Sequence, residues 1–282
     1  MEYPSESLRV PLNEVRPLLH CQRLTVNYAS VAKPALCGID FEMRPGEVVG
    51  ILGESGCGKT TLALSILGLL PAAVRVEGSI LFHDQDLLRL SESRLRSIRG
   101  SQIALIHQEP GLSLSPVMRV GEQISEVLRA HRSIKRTVRE QECKAMLHEV
   151  QLCDVDRIYS AYPHQLSGGE LHRVAIAQAL ICRPELVICD EPTSSLDVTI
   201  QAEILNLLRE LKRKFGMAMI FITHNPALLA GFADRVLVMY EGKIVEQGRV
   251  AQVFRQPLHA YTNELLQLVT PEDGRLTFHD EN

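Results

Sequence analysis

The chain has 282 residues, 45% hydrophobic and 23% charged, the balance of a soluble globular protein with room for one large domain or two small ones. Lys and Arg number 30 against 34 Asp and Glu, so the net charge of −4 creates no positive field to draw the chain to nucleic acid. No apolar run approaches the roughly 20 residues that span a bilayer, and the best candidate, "ALSILGLLPAAV", is broken by Pro71.

Residues 1–17 read as a loose leader; Glu2, Glu6, Arg9, Glu14 and Arg16 stand where a signal peptide would need an apolar core. "LTVNY" (24–28) and "GIDFEM" (38–43) alternate as half-buried strands do, and the denser "EVVGILG" (47–53) predicts a strand buried on both faces. A glycine loop follows, then a helix in "TTLALSILGLL" (60–70) that Pro71 is expected to stop. From about 93 to 165 the pattern predicts a helical insertion rather than sheet, with Ile124, Val127, Leu128 and His131 at helical spacing. The basic cluster Arg129, Arg132, Lys135, Arg136 and Arg139 lacks interleaved aromatics and reads as a solvated helical face.

The α/β pattern then returns. "ELVICDE" (185–191) and "MAMIFIT" (217–223) are buried strands, separated by an amphipathic helix (201–216) that Gly216 closes. "RVLVMYEGKIVEQG" (235–248) is a hairpin turning at Glu241-Gly242. Strands alternating with helices predict a mostly parallel sheet with ligands at its carboxyl edge. Seven cysteines without CxxC spacing are expected to be reduced thiols of a cytoplasm.

"GESGCGKT" satisfies G-x-x-x-x-G-K-[ST] between a strand and a helix, the context this motif needs. Its glycines let backbone N–H groups approach phosphate oxygens, Lys59 is expected to reach the β- and γ-phosphates, and the Thr60 hydroxyl to bind Mg²⁺. Cys57 reads as a small filler rather than a reactive thiol. Asp190 closes an apolar strand, where a carboxylate needs a partner such as hydrated Mg²⁺, and Glu191 could polarise an attacking water. His224 ends another strand and is read either as structural or as a γ-phosphate contact, and Tyr28 either as packing or as a ligand contact. Physics alone assigns nothing to Gln108.

A second glycine stretch, "HQLSGGELHR" (164–173), has no lysine to make it a phosphate loop. Together with the first it resembles the ATP-binding cassette (ABC) ATPases over residues 20–268. The motifs stand in that family's order: the P-loop at 53–61, Gln108, the signature "LSGGE" at 166–170, "LVICDE", "SLD" at 195–197, and His224. The resemblance implies an α/β P-loop NTPase, with a RecA-like core, an antiparallel β subdomain and a helical subdomain (about 93–165) inside a cassette spanning 18–250.

It further implies that two cassettes pack head to tail on ATP. Gly53, Glu54, Ser55, Gly56, Cys57, Gly58, Lys59, Thr60 and Thr61 of one would hold a nucleotide that Ser167, Gly168 and Gly169 of the other complete. Tyr28 would stack on adenine, Gln108 would touch metal and water, Asp197 would work across the seam, and His224 would hold the γ-phosphate and attacking water. Catalysis would thus fall to Glu191, His224, Lys59 and Gln108, and Mg²⁺ to Thr60, Gln108 and Asp190.

"HQEPGLSLSPVMRVGEQI" (107–124) and the tail "FRQPLHAYTNELL" (254–266) are similar to stretches of peptide and nickel importer ATPases, making 251–282 a tail of that type. Ser115 departs from the usual Asn, Ala260 from Pro, and Asn225 from the acid that often follows the histidine. No cysteine follows Cys189, so the iron–sulfur extension of some members is not expected. The implied partners are a second ATPase subunit (a heterodimer or a homodimer), two permease subunits and, indirectly, an extracytoplasmic binding protein. The implied place is the cytoplasmic face of the inner membrane. The alternative is a subunit of a soluble assembly such as a carbon–phosphorus lyase. DNA-repair and ribosome-acting members are set aside, since no long coiled coil or tandem cassette is present.

Overall fold

A computed structural model describes residues 16–29, 33–109, 113–193 and 196–267. Most of the expected leader, Pro110 to Leu112 of the importer-like stretch, Ser195 of the "SLD" motif and the tail beyond Gln267 lie outside the described residues.

The chain opens with β1 (Leu19–Asn27) and β2 (Leu36–Met43), then β3 (Val48–Leu52), α1 (Lys59–Ile66), β4 (Arg75–Phe82), β5 (Gln85–Asp86) and α2 (Glu92–Ile98). Next come β6 (Ile103–Ile106) and four helices, α3 (Val120–His131), α4 (Arg136–Glu149), α5 (Val155–Ser160) and α6 (Gly168–Leu180). The last third runs β7 (Leu186–Asp190), α7 (Val198–Phe215), β8 (Ala218–Thr223), α8 (Pro226–Ala230), β9 (Arg235–Tyr240), β10 (Lys243–Arg249), α9 (Val250–Arg255) and α10 (Ala260–Gln267).

These strands form two sheets. The smaller is antiparallel in the order β2-β1-β4-β5; the larger runs β10-β9-β3-β8-β7-β6 and is parallel except at its β10 edge. Period-two alternation splits the large sheet between two cores. Val49 and Ile51 of β3, with Ile188, Ile220 and Leu237, face the antiparallel sheet and α1. Val48, Leu52, Val187, Phe221 and Val238 face the helices on the other side. Burial on both faces explains why β3, β7 and β8 read as continuous apolar runs rather than alternating ones.

Two expectations need correction. The stretch 93–165 is not helical throughout, because Ile103–Ile106 forms β6 and pairs in parallel with β7. Four apolar residues carry no period that separates strand from helix, and only the partner strand decides. The helix after the P-loop ends at Ile66, not at Pro71. Gly68 adopts φ +61° and Leu69 N–H bonds back to the Leu64 carbonyl, a left-handed closure placed before the proline acts.

Two members of the basic cluster are paired with acids: Arg129 with Glu126, and Arg132 with Glu142 across α3 and α4. Arg139 caps the Ile134 carbonyl and reaches Ser125. Gln123 is buried and binds the Ser115 N–H, the Ser115 carbonyl and the Met118 carbonyl, fixing the segment that leads into α3.

The β9–β10 turn holds the P-loop to the sheet. Glu241 and Gly242 both have positive φ, 43° and 75°, as a tight hairpin requires. Gly242 N–H donates to the Cys57 carbonyl and its own carbonyl accepts from Cys37 N–H. A Cβ on Gly242 would lie 2.7 Å from the Ala35 carbonyl oxygen. Gly242→Ala is therefore expected to cost about 1–3 kcal/mol from left-handed strain plus backbone crowding. A urea midpoint that falls with an unchanged slope checks it.

Candidate functional site

The parallel register brings four strand ends to one edge: Leu52 opposite Thr223, Asp190 opposite Ile222, and Ile106 opposite Cys189. Everything singled out at 53–61, 108, 190–191 and 224 leaves the sheet there, after β3 and after the three strands β8, β7 and β6 that lie to one side of it.

The P-loop bends around its lysine. Lys59 is buried, and its Nζ donates to the carbonyls of Gly53 and Glu54, each at 2.8 Å. Gly58 has φ +110°, and a Cβ there would lie 2.7 Å from the Ala35 carbonyl oxygen; at Gly53 it would lie 2.3 Å from the Met239 carbonyl oxygen. Only glycine lets the loop sit this close to the sheet. Glu54, Ser55 and Gly56 are exposed, whereas Cys57 is buried and its thiol is pushed up by burial, with Lys59 pulling the other way. The filler reading of Cys57 fits this. Thr60 and Thr61 open α1.

The buried Asp190 carboxyl is raised above the ordinary range chiefly by burial and secondarily by Glu191, with hydrogen bonding from Thr60, then His107 and Lys59, opposing. A hydroxyl at the start of α1 and a carboxylate at the end of β7 fit a hard cation that takes few protein ligands and keeps its waters. Gln108 is exposed two residues beyond the end of β6, the strand beside β7.

Glu191 follows Asp190 with φ +48°, left-handed backbone that a glutamate rarely adopts. Its N–H is fixed by the Ile222 carbonyl at 3.0 Å, and its Oε2 lies 3.2 Å from His224 Nδ1. Sequence spacing could not foresee this pairing across 33 residues. A cavity of 180 Å³ beside it is lined by Glu191, Thr193, Gln201, Phe221, His224 and Asn225, polar and roomy enough for water. Asn225 caps α8 by accepting from Ala227 N–H, a use that needs no charge and suits the departure from an acid.

Tyr28 lies just past β1, half-buried against the core between the sheets. Asp197 caps α7 by accepting from Ile200 N–H. Ser167 caps α6 in a reciprocal box with Glu170, leaving Ser167 and Gly168 exposed and Gly169 half-exposed. No heavy atom lies within 4 Å of where a Cβ on Gly168 would sit. Behind them His172, whose pKa burial lowers, bonds the Gly168 carbonyl at 3.0 Å. One contact escaped the sequence reading altogether: Tyr261 of α10 accepts from Glu54 N–H at 3.0 Å. Its only trace was the "HAYTNELL" tail, which signals a family resemblance and no role.

A lysine-centred glycine loop on a strand-to-helix turn, with a hydroxyl opening the helix and a buried carboxylate ending a nearby parallel strand, defines a P-loop nucleoside triphosphatase. The chain belongs to the ABC transporter family, whose model matches residues 36–194. It is 48% identical over 237 residues to the probable peptide ABC transporter ATP-binding protein y4tR of Sinorhizobium fredii, covering 83% of this chain and 71% of that one. It is 44% identical over 273 residues to the oligopeptide transport ATP-binding protein OppD of Escherichia coli, covering 95% and 81%. The fold is shared with the dimeric post-hydrolysis state of the ATP-binding cassette MJ0796 bound to ADP and Pi, with a TM-score of 0.72 at 26% identity over 82% of this chain and 98% of that one.

The buried Asp190 carboxylate has a consequence for stability. Its folded value is raised, so the unfolded chain releases this proton first. The resulting penalty grows as pH rises through the ordinary carboxylate range and is complete above the raised value. Asp190→Asn is expected to stabilise the nucleotide-free protein at neutral pH by about 1 kcal/mol, or ~2–4 °C in melting temperature, and to abolish Mg²⁺-dependent ATP turnover. Melting curves at pH 7 and pH 4 check it, with the gain confined to the higher pH.

Proposed function

We propose that this chain is the ATP-hydrolysing subunit of a membrane importer for peptides or a related small solute, and that it works by closing head to tail on a second cassette. The observation that carries the reading is the division of labour within one chain. The P-loop holds a lysine ready for phosphate, while the signature Ser167-Gly168-Gly169 stands at an open helix start with no lysine of its own. Relatives named for peptide and oligopeptide transport favour an importer over a lyase assembly.

In this reading Lys59 exchanges its two loop carbonyls for β- and γ-phosphate oxygens, and the loop N–H groups take the remaining phosphate charge. Thr60 and Asp190, with Gln108 from the neighbouring strand, would hold Mg²⁺, which when bound neutralises phosphate charge. Tyr28 presents its ring to the adenine. Glu191, fixed by its backbone bond to β8, accepts a proton from a water held with His224. That water's oxygen bonds to the γ-phosphorus as the bond to the β–γ bridging oxygen breaks, leaving ADP and phosphate. Ser167, Gly168 and Gly169 of the partner cassette complete the γ-phosphate shell, and Asp197 lies at the seam. ATP thus stabilises the closed pair and hydrolysis releases it.

Transport needs a membrane partner. Among the described residues no helix is long and apolar enough to cross a membrane. Two permease subunits would bind this chain at the cytoplasmic face, with an extracytoplasmic binding protein delivering the solute.

Glu191→Gln is expected to lower kcat by about 10²–10⁴-fold, the range for loss of a general base, while retaining ATP and accumulating a closed dimer on size exclusion. Hydrolysis at the wild-type rate would remove Glu191 from the role of base. Ser167→Arg is expected to bind a fluorescent ATP analogue as a monomer within about twofold of wild type, yet form no ATP-dependent dimer. An S167R protein that dimerises normally overturns the cross-interface role of the signature.

A further inference from the structure

The P-loop is held from a direction its motif does not announce. Glu54 is its second residue, and the two sides of Glu54 are engaged differently. Its carbonyl accepts from Lys59 Nζ, while its N–H donates to the Tyr261 hydroxyl at 3.0 Å. β3 has already ended at Leu52, so no strand partner is available to this N–H from the sheet ladder. The acceptor comes from 207 residues further along the chain.

Tyr261 is firmly placed. Glu246 of β10 accepts from both Leu258 N–H and His259 N–H, which fixes the approach to α10. His259 Nδ1 bonds Tyr261 N–H, setting the first turn of the helix. Thr262, Leu265 and Leu266 are buried, the two leucines in the same core as Val253 and Phe254 of α9. The Tyr261 ring lies 4.3 Å from that of Tyr240, the last residue of β9. Tyr240 leads into the turn whose Gly242 N–H holds the Cys57 carbonyl. The P-loop is therefore gripped at Glu54 by the C-terminal helix and at Cys57 by the β9–β10 turn, and the two grips touch through their tyrosines.

We propose that Tyr261 is a positioning residue for nucleotide binding: the C-terminal helix α10 presets the P-loop through the bond from Glu54 N–H to the Tyr261 hydroxyl. The inference rests on the ATPase reading above. When Lys59 turns from the Gly53 and Glu54 carbonyls toward phosphate, the loop loses two internal bonds. Tyr261 keeps the Glu54 peptide in place through that exchange, so the loop is already in its binding shape. Without the hydroxyl, only a fraction of loops is competent, and apparent affinity falls by that fraction. Because the loop pose serves ground and transition states alike, the loss falls on KM and not on kcat.

Tyr261→Phe in the full-length chain tests this, since it keeps the ring against Tyr240 and removes one acceptor. The expected result is a Kd for a fluorescent ATP analogue, and a KM for ATP, raised about 3- to 10-fold, the worth of one hydrogen bond, with kcat within twofold. Hydrogen exchange at the Glu54 amide should speed up in parallel. Tyr261→Leu, which also loses the ring contact, is expected to lose at least as much affinity and to melt lower. Wild-type Kd and KM in Y261F, whatever its melting temperature, would reduce Tyr261 to a packing residue and overturn the inference alone. Wild-type protein that binds no ATP would overturn the ATPase reading and this inference with it.

Discussion

A positive charge buried in a bend of backbone sets the terms for this site. Lys59 is 5% exposed, and Gly53 and Glu54 turn their carbonyls onto its ammonium. That turn needs the loop to pass within contact of Met239 and Ala35, which only Gly53 and Gly58 allow. In the proposed mechanism substrate phosphate replaces these carbonyls as the lysine's partner, so binding would exchange one set of oxygens for another and strand no charge. The surrounding structure, from the parallel strands that lead into the bend to the hairpin and tail that hold it, can be understood as keeping this exchange cheap.

The acid side follows the opposite logic. Asp190 is a carboxylate kept where burial disfavours its charge, opposed chiefly by the Thr60 hydroxyl. Glu191 is held in left-handed backbone that costs of order 1–2 kcal/mol. Neither helps the chain to fold. Both place oxygen atoms at the edge of the sheet, one toward the P-loop and one toward His224, and successive residues can diverge in this way only if the backbone bends sharply between them. The left-handed backbone at Glu191 is what lets two neighbours in sequence face two different surroundings.

Legibility from sequence tracked how local each determinant is. The loop at 53–61 and the turn at Glu241-Gly242 depend on residues within one turn of each other, and each lies where its pattern puts it. Strands buried on both faces were legible because both faces demand apolar residues. What escaped depends on distant partners. Ile103–Ile106 is a strand only because β7 lies beside it, and Gly68 ends α1 through a conformation that the louder signal of Pro71 obscured. The bond from Tyr261 to Glu54 has no local signature at either end.

The signature segment raises one electrostatic question. In the proposed mechanism the start of α6 receives a triphosphate, yet its first turn already has a carboxylate, Glu170, and two anions should repel there. Three contacts reconcile them. Glu170 accepts from the Ser167 N–H and hydroxyl, which holds its carboxyl below the ordinary range and points it back along the chain. Arg157 of α5 pairs with the same carboxylate, so its charge is largely spent within the fold. The N–H groups of Gly168 and Gly169, at the first two helical positions, lie beyond this arrangement and have no helical carbonyl to bond. Glu170 thus secures the cap geometry while Arg157 offsets its charge, and Gly168 and Gly169 keep the donor character that the proposed contact with a neighbour's γ-phosphate would use.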